Sequence, residues 1–193
     1  MKAILVLAAA FFFAGCNKNK EAILPTADNS QITNYIIPSG EHYCLNNSYL
    51  PYSDSVMNFM VRFDSSAIYS TVLPENQEDI NKLMGFSDNR SGHHEFSARI
   101  GWRWSNDALR LFGYVYNQGQ PMSKEISTIP IGSFVNCSIK VSEGFYYFSA
   151  GDAEIRLPRA AKGLKAEGYL LYPYFGGDET APHEILIQII KKK

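Results

Sequence analysis

Residues 97–116 read Ser97-Ala98-Arg99-Ile100-Gly101-Trp102-Arg103-Trp104, then Ser105-Asn106-Asp107, then Ala108-Leu109-Arg110-Leu111-Phe112-Gly113-Tyr114-Val115-Tyr116. In the first run Ala98, Ile100, Trp102 and Trp104 alternate with Ser97, Arg99, Gly101 and Arg103. In the second, Leu109, Leu111, Gly113 and Val115 alternate with Arg110, Phe112, Tyr114 and Tyr116. A period of two sends the two sets to opposite faces of a strand, one toward a core and one toward solvent. The turn-forming residues between the runs predict a β-hairpin.

The same alternation recurs outward from this hairpin. Met57, Phe59, Val61 and Phe63 show it, as do Val135, Cys137, Ile139 and Val141, and Ile185, Ile187 and Ile189. Turn signals fall at Asn117-Gln118-Gly119, Ser142-Glu143-Gly144 and Gly151-Asp152. Short strands separated by such turns predict an all-β, antiparallel β-sandwich. One segment departs from the pattern. Pro74 to Gly85 begins with Pro and acids, carries Ile80, Leu83 and Met84 at helical spacing, and ends on glycine. It predicts one short helix packed on a sheet. No internal repeat and no second domain is evident, so residues 30–193 are expected to form a single β-sandwich domain.

Composition narrows the class. The 193 residues include 18 Lys plus Arg, 19 Asp plus Glu and 46% apolar residues. Balanced charge argues against a nucleic-acid partner, and the apolar content argues against a disordered chain. The first residues have their own pattern: Lys2, an apolar run from Ala3 to Ala14, Gly15 and then Cys16. A basic start, a short apolar core and small exit residues predict a secretory signal peptide. Phe13-Ala14-Gly15-Cys16 resembles the bacterial lipobox, with Phe13 in place of the usual leucine. That resemblance implies a lipoprotein signal peptide over 1–15, a lipid on Cys16 and a flexible tether over 16–29. The membrane would then be reached through the Cys16 lipid alone. Asn17 at the next position implies outer-membrane delivery, to the periplasmic or the cell-surface face. Of three cysteines, Cys44 and Cys137 remain. In an oxidising compartment they are either a disulfide pair or buried thiols.

The solvent-side residues of the opening hairpin carry the functional expectation. Arg99 and Arg103 share one strand face; Arg110, Phe112, Tyr114 and Tyr116 share the next; Tyr172 and Tyr174 are placed to join them. Tyrosine rings stack on the C–H face of a sugar, and planar guanidinium binds carboxylates through paired hydrogen bonds. The candidate ligand-binding set is therefore Arg99, Arg103, Arg110, Tyr114, Tyr116, Tyr172 and Tyr174, with a glycan, an acidic polysaccharide above all, as partner. His93-His94-Glu95 is the densest ionisable cluster. Adjacent strand residues face opposite ways, so only His93 and Glu95 would share a face, which is too few for a zinc site. No metal or other cofactor is expected. No phosphate loop, nucleophile elbow or paired-carboxylate motif is present.

Tyr172-Pro173-Tyr174-Phe175-Gly176-Gly177, followed by Ala181-Pro182 and an alternating strand, resembles the closing strands of jelly-roll, concanavalin-like polysaccharide lyases. From Glu75 to Ile190 the chain also resembles uncharacterised Bacteroidota lipoproteins, on Gly85-Phe86-Ser87-Asp88, His93-His94-Glu95 and Gly101-Trp102-Arg103-Trp104. The lyase resemblance implies a jelly roll with a concave glycan face. It also implies β-elimination, with His93, Tyr114 or Tyr172 as candidate base and Arg99 or Arg103 neutralising the uronate. The leading expectation is a lipid-anchored envelope protein that binds a glycan. The alternatives are a polysaccharide lyase or related carbohydrate-active enzyme, and an accessory lipoprotein with a protein partner.

Overall fold

The hairpin that opens the sequence argument exists as expected and sits in the middle of a sheet. The structure is a computed structural model and describes residues 31–192. Its strands are β1 (Ile32–Ile37), β2 (Pro51–Asp54), β3 (Val56–Phe63), β4 (Asn81–Ser87), β5 (Phe96–Ser105), β6 (Ala108–Asn117), β7 (Gln120–Ile129), β8 (Val135–Ser142), β9 (Phe145–Ala150), β10 (Ala153–Pro158), β11 (Ala166–Leu171) and β12 (Ile185–Lys192). Two antiparallel six-stranded sheets result, in the orders β1-β12-β3-β8-β9-β10 and β2-β11-β4-β5-β6-β7. Late strands lie between early ones in both sheets, which makes the sandwich a jelly roll.

Hairpin chemistry follows the turn residues. Between β5 and β6, Asn106 (φ 51°) and Asp107 (φ 54°) both take the left-handed region. A two-residue turn with that geometry matches the twist of the flanking strands. It fixes the register that sets Arg99 opposite Tyr114 and Trp102 opposite Leu111.

The core lies between the sheets. Met57, Phe59, Val61 and Phe63 of β3 meet Ala98, Ile100 and Trp102 of β5, all buried. The Trp102 ring touches Phe63 at 5.1 Å, Tyr69 at 5.9 Å and Phe175 at 6.3 Å between centroids. Each fully buried large apolar side chain contributes about 1.5–3 kcal/mol, so these facing rows are what holds the sheets together.

Two expectations are corrected. The helix expected over 74–85 is limited to a 3-10 segment, Pro74–Glu78, and Asn81–Ser87 is strand β4. The register on β5 shifts between Lys82 and Gly85, leaving Leu83 and Met84 opposite Ile100 alone. This is a β-bulge. It turns two successive apolar residues into the core, and that doublet imitates helical spacing. The disulfide option is also not realised: Cys44 and Cys137 are both buried and free. Leu45 N–H donates to Ile36 O, so the Cys44 loop lies against β1. Cys137 is on β8, three strands away, about 14 Å at the usual strand spacing and beyond disulfide reach. Burial pushes the Cys44 thiol up to about 11 and the Cys137 thiol up to about 12. The expected signal peptide over 1–15, the lipid on Cys16 and the tether over 16–29 lie outside the described residues.

Candidate functional site

The outer face of the β2-β11-β4-β5-β6-β7 sheet carries a cleft of about 460 Å³. Arg99 on β5 lies at its centre. Gly85, its register partner on β4, makes room for it: a Cβ there would stand 2.7 Å from Arg99 Cγ and 2.2 Å from Ala98 O. Arg99 Nη2 donates to Tyr172 O at 2.6 Å. Its Nε is buried with no partner. Burial pushes the guanidinium down to about 10, against the opposing pull of the Tyr114 hydroxyl and the Cys44 thiol.

Lys82 of β4 supplies a second cation to the cleft. Its Nζ lies 4.4 Å from the Tyr114 ring centroid and donates to Ile80 O. Burial, and then the charge of Arg99, push it down to about 8, while Asp79 pulls the other way. The segment after β11 passes over Lys82 as a backbone bridge, with Lys82 N–H donating to Tyr174 O at 2.8 Å and Tyr174 N–H to Lys82 O at 3.0 Å. The 3-10 segment and the bulge deliver Lys82 to this face. Reading the stretch as a helix hid it.

Tyrosines form the walls. Tyr114 and Tyr116 lie 5.9 Å apart, and Tyr116 is 5.2 Å from His94. Tyr174 stacks on His42 at 5.2 Å and meets the edge of Tyr43 at 5.1 Å. Tyr49 lies 4.8 Å from Tyr169. Burial and the bond with Tyr116 raise the Tyr114 hydroxyl above the ordinary phenol range. Burial and Tyr43 raise Tyr174. The Tyr169 hydroxyl accepts the His93 backbone N–H at 3.1 Å and lies 2.8 Å from His93 Nδ1. Burial, His94 and Arg99 all lower His93, which favours the neutral imidazole.

Among the residues lining the cleft there is no aspartate or glutamate. The site is therefore cationic and aromatic, and its cations are partly desolvated. A carboxylate entering it would find positive charge that no lining acid offsets, in surroundings of low dielectric, where charge-assisted hydrogen bonds are strongest.

The structure brings Arg99, Tyr114, Tyr116, Tyr172, Tyr174 and His93 together along this cleft. Two arginines are directed elsewhere. Arg103 pairs with Glu78, lies 4.8 Å over Phe112, and donates from Nη1 to Glu78 O at 2.6 Å. Arg110 binds Glu125 at 2.9 Å. Both share the Arg99 sheet face but stand outside the cleft. Tyr172 offers its carbonyl. Its hydroxyl is buried without a partner, and its ring lies 5.9 Å from Tyr35, so it is poorly placed as a base. His183 is committed to Ser66 O at 2.8 Å. Among the described residues, no group of three or more His, Cys, Asp or Glu is placed to hold a metal ion. Lys82, Tyr43, Tyr49, Tyr169 and His94 join the cleft without having been expected there. For the tyrosines the available signal was their density around residues 43–52 and 169–174.

The sequence matches no protein-family model and no curated protein. The fold is similar to that of several solved structures. The non-specific endo-β-1,3(4)-glucanase SCLam of family GH16 superposes with a TM-score of 0.52 and 8% identity, over 86% of this chain and 71% of that one. Alginate lyase AlyC3 gives 0.52 and 7%, over 83% and 72%. A family GH16 endo-glucanase from Bacteroides ovatus gives 0.51 and 7%, over 85% and 80%. At such identity the likeness concerns the fold, and function has to be argued from the cleft.

Proposed function

We propose that this is a lipid-anchored cell-envelope protein that binds an acidic polysaccharide in the Arg99 cleft. The observation that carries the reading is a tyrosine-walled cleft holding two partly desolvated cations, Arg99 and Lys82, and no carboxylate. Uronate carboxylates meet the cations, and sugar rings stack on the tyrosines. Jelly-roll relatives named as glucanases and alginate lyases support a glycan ligand in general terms. The lipobox-like Phe13-Ala14-Gly15-Cys16 supports the anchor, and Asn17 after it supports the outer-membrane address. Hydrolysis by a carboxylate pair has no candidates among the residues lining the cleft. The test is affinity for a panel of acidic and neutral polysaccharides, using the chain from residue 22 onward. Acidic polymers should bind, neutral ones should not, and Arg99→Ala should abolish binding. Equal retention of neutral polymers would sink the reading.

One observation favours lyase chemistry as a second reading. His93 is held neutral beside Tyr169 and near Arg99. In the tautomer whose Nδ1–H donates to Tyr169, Nε2 is free to accept a proton. It would take the proton from the carbon beside the Arg99-bound carboxylate. The C–O bond to the next sugar then breaks, leaving a carbon–carbon double bond, and the departing oxygen takes up a proton. Appearance of unsaturated-uronate absorbance, lost in His93→Ala, would establish this reading. Intact polymer after prolonged incubation would dismiss it.

A further inference from the structure

A second depression, of about 530 Å³, borders the cleft and shares Tyr49 and Tyr169 with it. Its chemistry differs. The cleft presents cations alone, whereas the depression holds one charge of each sign: Arg90 Nη2 and Glu167 Oε2 lie 2.9 Å apart. Ser53 and Ser91 add hydroxyl groups, and Gly168 leaves bare backbone.

The arrangement is built from the backbone upward. A Cβ at residue 168 would stand 2.2 Å from Ser87 Oγ, so only glycine fits there. The loop after β4 is held by Asp88, which is 1% exposed. Its carboxylate accepts from Arg159 Nε at 2.8 Å, from the Tyr146 hydroxyl at 2.6 Å and from Asn89 N–H at 2.6 Å. Beyond that anchor Asn89 (φ 55°) and Arg90 (φ 56°) both adopt left-handed backbone, which is unfavourable for side-chain-bearing residues unless fixed by their surroundings. Arg90 N–H donates to Glu167 O at 2.7 Å, so backbone as well as charge sets the two residues side by side.

Their side chains are 77% and 45% exposed. In water such a pair attracts weakly, and both groups keep spare hydrogen-bonding capacity. A strong donor beside a strong acceptor matches neighbouring sugar hydroxyls, each of which can donate and accept. A sugar carboxylate placed there would meet Glu167. Tyr49, 75% exposed, stands between the two sites as a stacking surface. Glu167 lies two strands from Arg99 and four residues before Leu171, the residue level with Arg99 through Gly85. That is about 10 Å across the sheet and about 13 Å along the strand, a span for several linked rings.

Resting on the acidic-glycan reading of the cleft, we propose that this depression is a second sugar subsite selective for an uncharged residue. The ligand is then a heteropolysaccharide that carries uronates and neutral sugars in one chain. Isothermal titration calorimetry with two oligosaccharides of equal length tests it, one a homo-uronate and one alternating uronate with neutral sugar. The alternating oligomer should bind about tenfold tighter, the effect of one charge-assisted hydrogen bond kept rather than lost. In the double variant Arg90→Ala, Glu167→Gln the ratio should fall toward one, with an unchanged melting temperature showing an intact fold. Glu167→Gln alone should raise affinity for the homo-uronate. Equal affinities in the wild type, or a ratio untouched in the double variant, would overturn the subsite and leave the cleft reading standing. Failure of both oligomers to bind, or binding that survives Arg99→Ala, would overturn the cleft reading itself.

Discussion

Lys82 should make acidic-glycan binding fall with rising pH in a window that no other cleft residue with a displaced titration shares. Its ammonium is pushed down to about 8. A base with a lowered value is cationic below it and neutral above it, so the contact to a carboxylate is present at pH 7 and lost toward pH 9. One unit below the midpoint about nine-tenths of the molecules carry the charge, and one unit above about one-tenth do. A charge-assisted hydrogen bond contributes about 1.5–3 kcal/mol, enough for the neutral form to bind negligibly through this contact. Observed affinity then tracks the protonated fraction and falls about tenfold across the window. The groups facing Lys82 leave the window clear. Arg99 on β5 is pushed down only to about 10. Tyr114 on β6 and Tyr174 after β11 are raised. His93, displaced downward, is neutral already. Asp79, before β4, carries the opposite sign. The assay is titration calorimetry of an acidic oligosaccharide at several pH values, for the wild type and for Lys82→Met, which keeps length and removes charge. The wild-type profile should fall and the variant's should stay flat. Proton uptake on binding near pH 8 should also vanish in the variant. A flat wild-type profile, or a Lys82→Met profile just as steep, would refute the reasoning.

Arg159→Met leaves the Asp88 carboxylate buried without its cation, so unfolding free energy in urea should drop by about 3–5 kcal/mol; a loss below about 1 kcal/mol would mean that Tyr146 and the backbone suffice. Cys44 and Cys137 should resist alkylation in the native protein and both react in denaturant without reductant, because neither is bonded; a native-state disulfide peptide by mass spectrometry would contradict this. Cys16→Ala should move the protein from the membrane fraction to the soluble fraction or leave an uncleaved precursor, and unchanged membrane association would remove the lipid anchor from the proposal.

Strands were readable wherever one face met the core and the other met solvent, since that asymmetry is what period two records. Met57 to Phe63 and Ala98 to Trp104 are of that kind. The reading failed at 80–85, where the bulge puts Leu83 and Met84 on one side and Gly85 serves as space for Arg99. The pairing partner that creates a bulge is remote in sequence, so local spacing could not reveal it. Arg99, Tyr114 and Tyr116 were legible as one surface because cross-strand register follows from the hairpin turn, whereas Tyr174 joins them through bridges to Tyr43 and Lys82, far from it in sequence. Arg103 and Arg110 were over-read for the complementary reason. Glu78, the partner of Arg103, comes from a segment whose position only the tertiary fold decides; Glu125, the partner of Arg110, is on the next hairpin strand, where a register shift between Leu111 and Phe112 alters which residues meet. Cys137 could be read as a buried thiol from its strand face, but its distance from Cys44 depends on strand order.

The bulge has a consequence for how such a site can change over generations. Leu83 and Met84 together stand opposite Ile100 alone, so deleting either residue of the doublet would restore regular alternation and leave Lys82 opposite Gly101. Lys82 would stay on the cleft face and Asn81 on the core face. The charge of the cleft thus survives loss of the extra residue. Homologues that lack one residue at this point would present the same charge to the same ligand. Any alignment that slides a gap by one place there would pair a lysine of the binding face with a residue of the interior.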